Sequence, residues 1–245
     1  MKKMILSLAI VAVATLSANA QVSFGIQAGT NLATTKSEFT SAGTTTTDRG
    51  KTKAGFTAGV VANIPFSSML AFRPELNYIQ KGGKFSSTQT ISGFTNASTE
   101  NVSLNFIEIP LNIVFSLPAG PGRFYAGAGP NISFGLSGKD KYSQTSSGGG
   151  FPTQTTSGSA KVKFDGKKQS DLPPNDNDFH LKAFDFGANA LVGYKMNMGV
   201  FFNAGYTYGF SNLDPNPNTS FKTAGFTLKV GYMFGGNKDS KKEDK

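Results

Sequence analysis

The chain has no cysteine and no tryptophan among its 245 residues, and only 16% of its residues are charged. Without thiols there are no disulfides, no thiolate metal sites and no lipid attached through a cysteine. No run of 18 apolar residues follows the first twenty positions, which leaves no helix able to cross a bilayer in the body of the chain. The low charge sets it apart from ordinary soluble domains, in which about a quarter of residues are charged.

Glycine (29) and phenylalanine (22) are abundant, and the formal charge is +9. The opening "MKKMILSLAIVAVATLSANA" has two lysines, an apolar stretch from Met4 to Leu16 and small residues at Ala18-Asn19-Ala20. It reads as a cleavable signal peptide over 1–20, too short to serve as a membrane helix. Removing it leaves a charge of +7. In an exported chain that excess does not point to nucleic acid. The rest divides into one domain over 21–235 and a charged tail over 236–245.

Within the domain, apolar residues recur every second position. In "RFYAGAGPNISFGL" (123–136) the even positions from Phe124 to Leu136 are all apolar, and the odd ones are mostly small or polar. A period of two marks a strand whose faces meet different surroundings. The pattern recurs eight times, at 22–32, 53–64, 69–81, 105–115, 123–136, 184–194, 200–210 and 226–234. Val102 and Leu104 are out of phase with Ile107, Ile109 and Leu111, which predicts a bulge near Asn105. Pro74, Pro110 and Pro130 each sit inside a strand, where each removes a ladder donor.

The connections 33–52, 65–68, 82–100, 116–122, 138–181, 195–199 and 211–220 alternate long and short. In an up-and-down meander this puts tight turns at one end and long Ser/Thr/Gly-rich loops at the other. That asymmetry, with aromatics near strand ends, predicts an all-β, eight-stranded antiparallel transmembrane barrel of the outer-membrane kind. Its apolar face should meet lipid, its termini the periplasm and its long loops the exterior. The final Tyr232-Met233-Phe234 suits handover to the outer-membrane assembly machinery.

"NFIEIPLNIVF" (105–115), "FYAGAGPNISFGL" (124–136), "FDFGANALVGY" (184–194) and the closing "GYMF" together resemble the PorT-like outer membrane β-barrel family of Bacteroidetes. Glu108 to Leu111 and Tyr125 to Pro130 carry the more specific part of the likeness. The resemblance implies fold and location, and for some members a role in secretion or motility. It brings no catalytic residues and no cofactor.

Eight strands enclose a bore that side chains can fill. Arg73, Glu75, Glu108 and Lys229 fall on the inward phase at similar counts from the short turns. They are expected to form an ionic plug centred on Arg73 and Glu108, since buried charges need partners. The same residues could instead line a proton or ion path, which the narrow bore disfavours. Gly127-Ala128-Gly129 lies in mid-strand without a following helix and is no nucleotide turn. His180 could serve a lipid-modifying enzyme only with a nucleophile nearby. Asp171, Asp176 and Asp178 lack calcium-loop spacing. Lys139, Lys141, Lys161, Lys163, Lys167 and Lys168 make the longest loop basic. That loop is the expected contact surface for lipopolysaccharide phosphates or a protein partner. The resulting expectation is a non-enzymatic scaffold or accessory barrel without metal or cofactor.

Overall fold

A computed structural model describes residues 22–235; the expected signal peptide over 1–20 and tail over 236–245 lie outside them. The strands are β1 (Ser23–Ser41), β2 (Thr44–Arg49), β3 (Lys53–Pro65), β4 (Leu70–Ile91), β5 (Phe94–Ala119) and β6 (Gly122–Gly148). They continue with β7 (Phe151–Lys163), β8 (Phe179–His180), β9 (Phe184–Met196), β10 (Val200–Gly209) and β11 (Thr219–Phe234). Eight of these close a ring in the order β1-β3-β4-β5-β6-β9-β10-β11, all pairs antiparallel. First and last strands pair from Phe24 opposite Phe234 to Phe39 opposite Thr219, so the ring has no open edge. Closure is what a sheet in hydrocarbon requires, because no water is there to satisfy edge amides.

The faces are inverted relative to a soluble barrel. Phe124 and Leu136 are exposed while Tyr125, Asn131 and Ser133 are buried. Phe24, Ile26, Val60, Leu76, Val192, Phe202, Leu228 and Val230 likewise project outward, and Gln27, Asn31, Asn77, Asn112 and Asn189 point into the bore.

The long connections depart from expectation. At 33–49, 82–100 and 138–163 the chain does not loop but extends the sheet beyond the barrel, while 164–178 is coil with one short turn. β1–β2, β4–β5 and β6–β7 run out to the two-residue turns Ala42-Gly43, Ser92-Gly93 and Gly149-Gly150. All six turn residues have positive φ, from 47° to 82°, the geometry that matches the twist of a two-residue hairpin. These strands escaped detection because both faces of the projecting hairpins are rich in Ser, Thr and Gln, so no apolar alternation marks them.

The irregularity at Asn105 is present, but it belongs to the partner strand. Asn105 pairs with Ser137 and Phe106 with Gly135, which leaves Leu136 of β6 as the extra residue. β5 keeps one phase throughout, with Val102, Leu104, Phe106 and Glu108 all buried. What changes along β5 is the character of the interior, from polar in the barrel to apolar at its long-hairpin end. There Ile79, Val102, Leu104, Phe106, Val162, Leu181, Leu213 and Phe221 form one packed cluster.

The prolines also find a physical account. The β3–β4 ladder skips Arg73 and Pro74. The β4–β5 ladder skips the step opposite Pro110, and the β5–β6 ladder skips the step opposite Pro130. Each proline thus interrupts pairing toward the preceding strand, as loss of its N–H demands.

Candidate functional site: the filled lumen and the projecting sheet

Strand alternation sends every second residue of β4 inward, which lines up Arg73, Glu75, Asn77, Ile79 and Lys81, all 2–3% exposed. Glu75 is the hub of the first cluster. Its Oε2 accepts from Lys229 Nζ at 2.6 Å, Gln27 Nε2 at 2.7 Å and Asn77 Nδ2 at 3.0 Å. Arg73 Nε stands 3.8 Å from the other oxygen, Oε1. The Arg73 guanidinium packs on two rings, its carbon 4.6 Å from the centroid of Tyr125 and 4.8 Å from that of Phe201.

Glu108 belongs to a different cluster. It forms an ion pair with Lys81 and accepts from Ser133 Oγ at 3.1 Å and Asn131 Nδ2 at 3.3 Å. Lys81 also reaches Thr223 Oγ1 at 3.3 Å, and that hydroxyl contacts Asp185 Oδ2 at 3.4 Å. Between the clusters Asn189 donates to Asn112 at 2.9 Å and accepts from Thr207 at 3.1 Å.

The four expected lumen residues are therefore all inside, but they do not share one centre. Arg73, Glu75 and Lys229 come together, whereas Glu108 pairs with Lys81, and the expected Arg73–Glu108 centre is not formed. Counting from each turn ignored the stagger of tilted strands. Arg73 pairs with Asn112 in the ladder and Glu108 with Asn77, so Glu108 lies four residues further along, roughly 13 Å. Lys81 and Asp185 were overlooked although both continue an inward phase legible in the sequence. Gln27, Tyr125 and Phe201 carried no signal, because only the closed ring brings them to Glu75 and Arg73.

At the long-hairpin end the six expected lysines are all exposed. Lys139 lies opposite Lys161 and Lys141 two residues along; their buried neighbours Val162 and Leu104 face the apolar cluster, so these lysines project outward. Lys163 instead binds Asp178 at 2.7 Å and Asp176 at 3.4 Å. Its hydrogen bond to Asp178 raises its pKa, and the same bond lowers that of Asp178. Asp176 is held low first by the Asp178 amide and then by Lys163, despite some desolvation. Lys167 and Lys168 sit in the following coil, near the turn that carries Asp171. Asp171 accepts from the Ser170 hydroxyl at 2.9 Å, so it stands apart from Asp176 and Asp178, which share Lys163. His180 is buried, its Nδ1 2.7 Å from Asp165 and its Nε2 3.5 Å from Asp176. The imidazole ties β8 to two points of the 164–178 segment.

A family profile described as outer membrane protein beta-barrel domain matches residues 17–214. No curated protein sequence matches the chain. Among solved structures, the chain is similar to the outer membrane protein OprG from Pseudomonas aeruginosa at 12% identity. That match covers 88% of this chain and 97% of the other, with a TM-score of 0.41. It is similar also to Ail, the attachment invasion locus protein of Yersinia pestis, at 16% identity, covering 85% and 98%, with a TM-score of 0.33. Neisserial surface protein A is a third, at 14% identity, covering 86% and 97%, with a TM-score of 0.33.

Proposed function

Because the chain belongs to the outer membrane protein beta-barrel domain family, we propose that it is a sealed, non-enzymatic barrel acting as a scaffold or accessory subunit through its projecting sheet. One observation carries this reading: the apolar cluster around Leu104, Phe106 and Leu213, each 0% exposed, stands over the polar lumen at the long-hairpin end. A bore filled by two ionic clusters and capped by packed side chains suits a solid support better than a conduit. The long hairpins face the exterior and the termini the periplasm, as the usual asymmetry of such barrels has it.

The finer kinship is to PorT-like barrels of Bacteroidetes, supported by the elements Glu108 to Leu111 and Tyr125 to Pro130. The contact surface is the sheet of β4–β7. Its outward lysines Lys139, Lys141 and Lys161 stand beyond the lipid-facing Phe134, at the level where lipopolysaccharide phosphates meet the barrel wall. Phe151, 72% exposed at the tip, is the position for a photoreactive residue. Crosslinking in cells should give one dominant protein partner, and planar-bilayer recordings should show no single-channel steps. Crosslinks to lipid alone would remove the subunit role, and steps altered by Glu108→Gln would replace the sealed barrel with a small pore.

A further inference from the structure

The projecting sheet ends at β7, and most of that strand has a neighbour on one side only. Its inner edge pairs with β6 in unbroken register from Gln154 opposite Ser146 to Val162 opposite Gly138. On its outer edge β8 covers Val162 and Lys163. There Leu181 donates to the Lys163 carbonyl at 2.8 Å, and Asp178 accepts from the Lys161 amide at 3.1 Å. From Ala160 to the tip no element pairs with that edge among the described residues.

A strand sends the N–H and C=O of alternate residues to the same edge. Lys161 and Lys163 bond outward, so Ser159, Ser157, Thr155 and Thr153 present their backbone groups there too. All four are exposed. Such an edge is ordinarily blunted by charge, proline, a bulge or a covering element. None of these lies between Thr153 and Ala160: the segments 86–99 and 142–160 hold no charged residue, and Pro152 stands at the tip.

An incoming charged strand would meet no counter-charge here. The inner edge shows what fits, a strand rich in Ser, Thr and Gln, with the hydroxyls of Thr145 and Thr155 3.1 Å apart. β7 has that composition itself. Two antiparallel copies centred on Thr156 set Thr155 opposite Ser157 and Thr153 opposite Ser159, so each outward donor meets an outward acceptor. β4 has a shorter free edge, since Lys84 bonds to Lys51 and leaves Ser86, Thr88 and Thr90 on the open side. Joining that edge to β7 of a neighbour would hold two barrels about 19 Å apart in one membrane. Eight-stranded walls with their side chains need roughly 26 Å.

We propose that the outer edge of β7 pairs antiparallel with β7 of a second copy, merging two projecting sheets into one. This pairing points the two barrels in opposite directions, so the copies sit in facing membranes and the contact bridges them. It deepens the reading of the projecting sheet as a contact surface and rests on that reading.

The test uses the full chain folded in micelles, sedimented at rising protein concentration. A dimer is expected. Because the chain has no cysteine, Thr156→Cys at the two-fold axis should give a disulfide-linked dimer under mild oxidant, and Thr88→Cys should not. Ser157→Pro removes an outward donor without touching the β6 ladder and should weaken the dimer at least about tenfold. Thr155→Lys should do the same, and it decides alone should Ser157→Pro fail to fold. Thr88→Pro should associate as wild type. A chain that stays monomeric, or a Thr155→Lys variant that associates as wild type, overturns the pairing, as does an equal loss in Thr88→Pro. The crosslink from Phe151 reads the contact role separately: a dominant partner other than this chain, with a monomeric purified barrel, removes self-pairing and leaves the scaffold.

Discussion

Lys229 on the last strand donates to Glu75 on β4 at 2.6 Å across the closed bore, joining residues 154 positions apart. With a side chain 0% exposed, Glu75 holds together β1 through Gln27, β4 through Asn77 and β11 through Lys229. Glu75→Gln leaves Arg73 and Lys229 without a counter-charge. Breaking such a buried pair from one side costs about 3–5 kcal/mol. The urea midpoint of the refolded barrel in micelles should fall accordingly, and Lys229→Met should fall less, since Arg73 stays beside Glu75.

The two ionic clusters are separate, which sets the expected coupling between them. Arg73→Met and Glu108→Gln should destabilise additively, within about 0.5 kcal/mol, since the two stand roughly 13 Å apart along the strands and share no partner. A single plug centred on Arg73 and Glu108 would show a coupling energy well above that in a double-mutant cycle.

Leu104 sits at the centre of the apolar cap. Leu104→Ala should cost about 2–5 kcal/mol, as truncation of a packed core leucine does. Hydrogen exchange should localise that loss to the projecting hairpins, while amides of β9, β10 and β11 keep their protection.

The clamp of Lys163 on Asp176 and Asp178 brings a pH dependence. Both carboxyl groups are held below the ordinary 3.8 by the contacts described. Their contribution is therefore complete above 3.8 and is lost as pH falls through the lower folded values. The raised Lys163 works in the opposite sense, its share present below its ordinary 10.5 and lost as pH rises beyond the folded value. Exchange protection over 164–182 should be level between those limits and drop below about pH 4. Lys163→Met should shrink the acid-side drop without erasing it, because the Asp178 and Lys161 amides still hold the two carboxyl groups low.

The alternation of Phe124, Ala126 and Ala128 against Tyr125, Gly127 and Gly129 was enough to place a strand and its lipid-facing side. The same logic located all eight ring strands, because each divides two unlike surroundings. It failed for β2 and β7 and for the outer parts of β4, β5 and β6, where both faces have similar polar composition and no period exists to read. It misassigned the phase change at Leu104 to a bulge in β5, since an interior turning from polar to apolar looks like a flipped strand. The Leu136 bulge accompanies it on the neighbouring strand.

Sequence by itself determined which residues face lipid and which face the bore, how many strands the ring has, and which end carries the long connections. Those are local or pairwise properties, governed by the two-residue repeat of a pleated chain and the spacing of turns. The tertiary structure decided who meets whom inside. Glu75 binds Lys229 rather than Glu108 binding Arg73, because closure fixes the stagger of tilted strands. Two inward residues at equal counts from their turns can then stand at different depths.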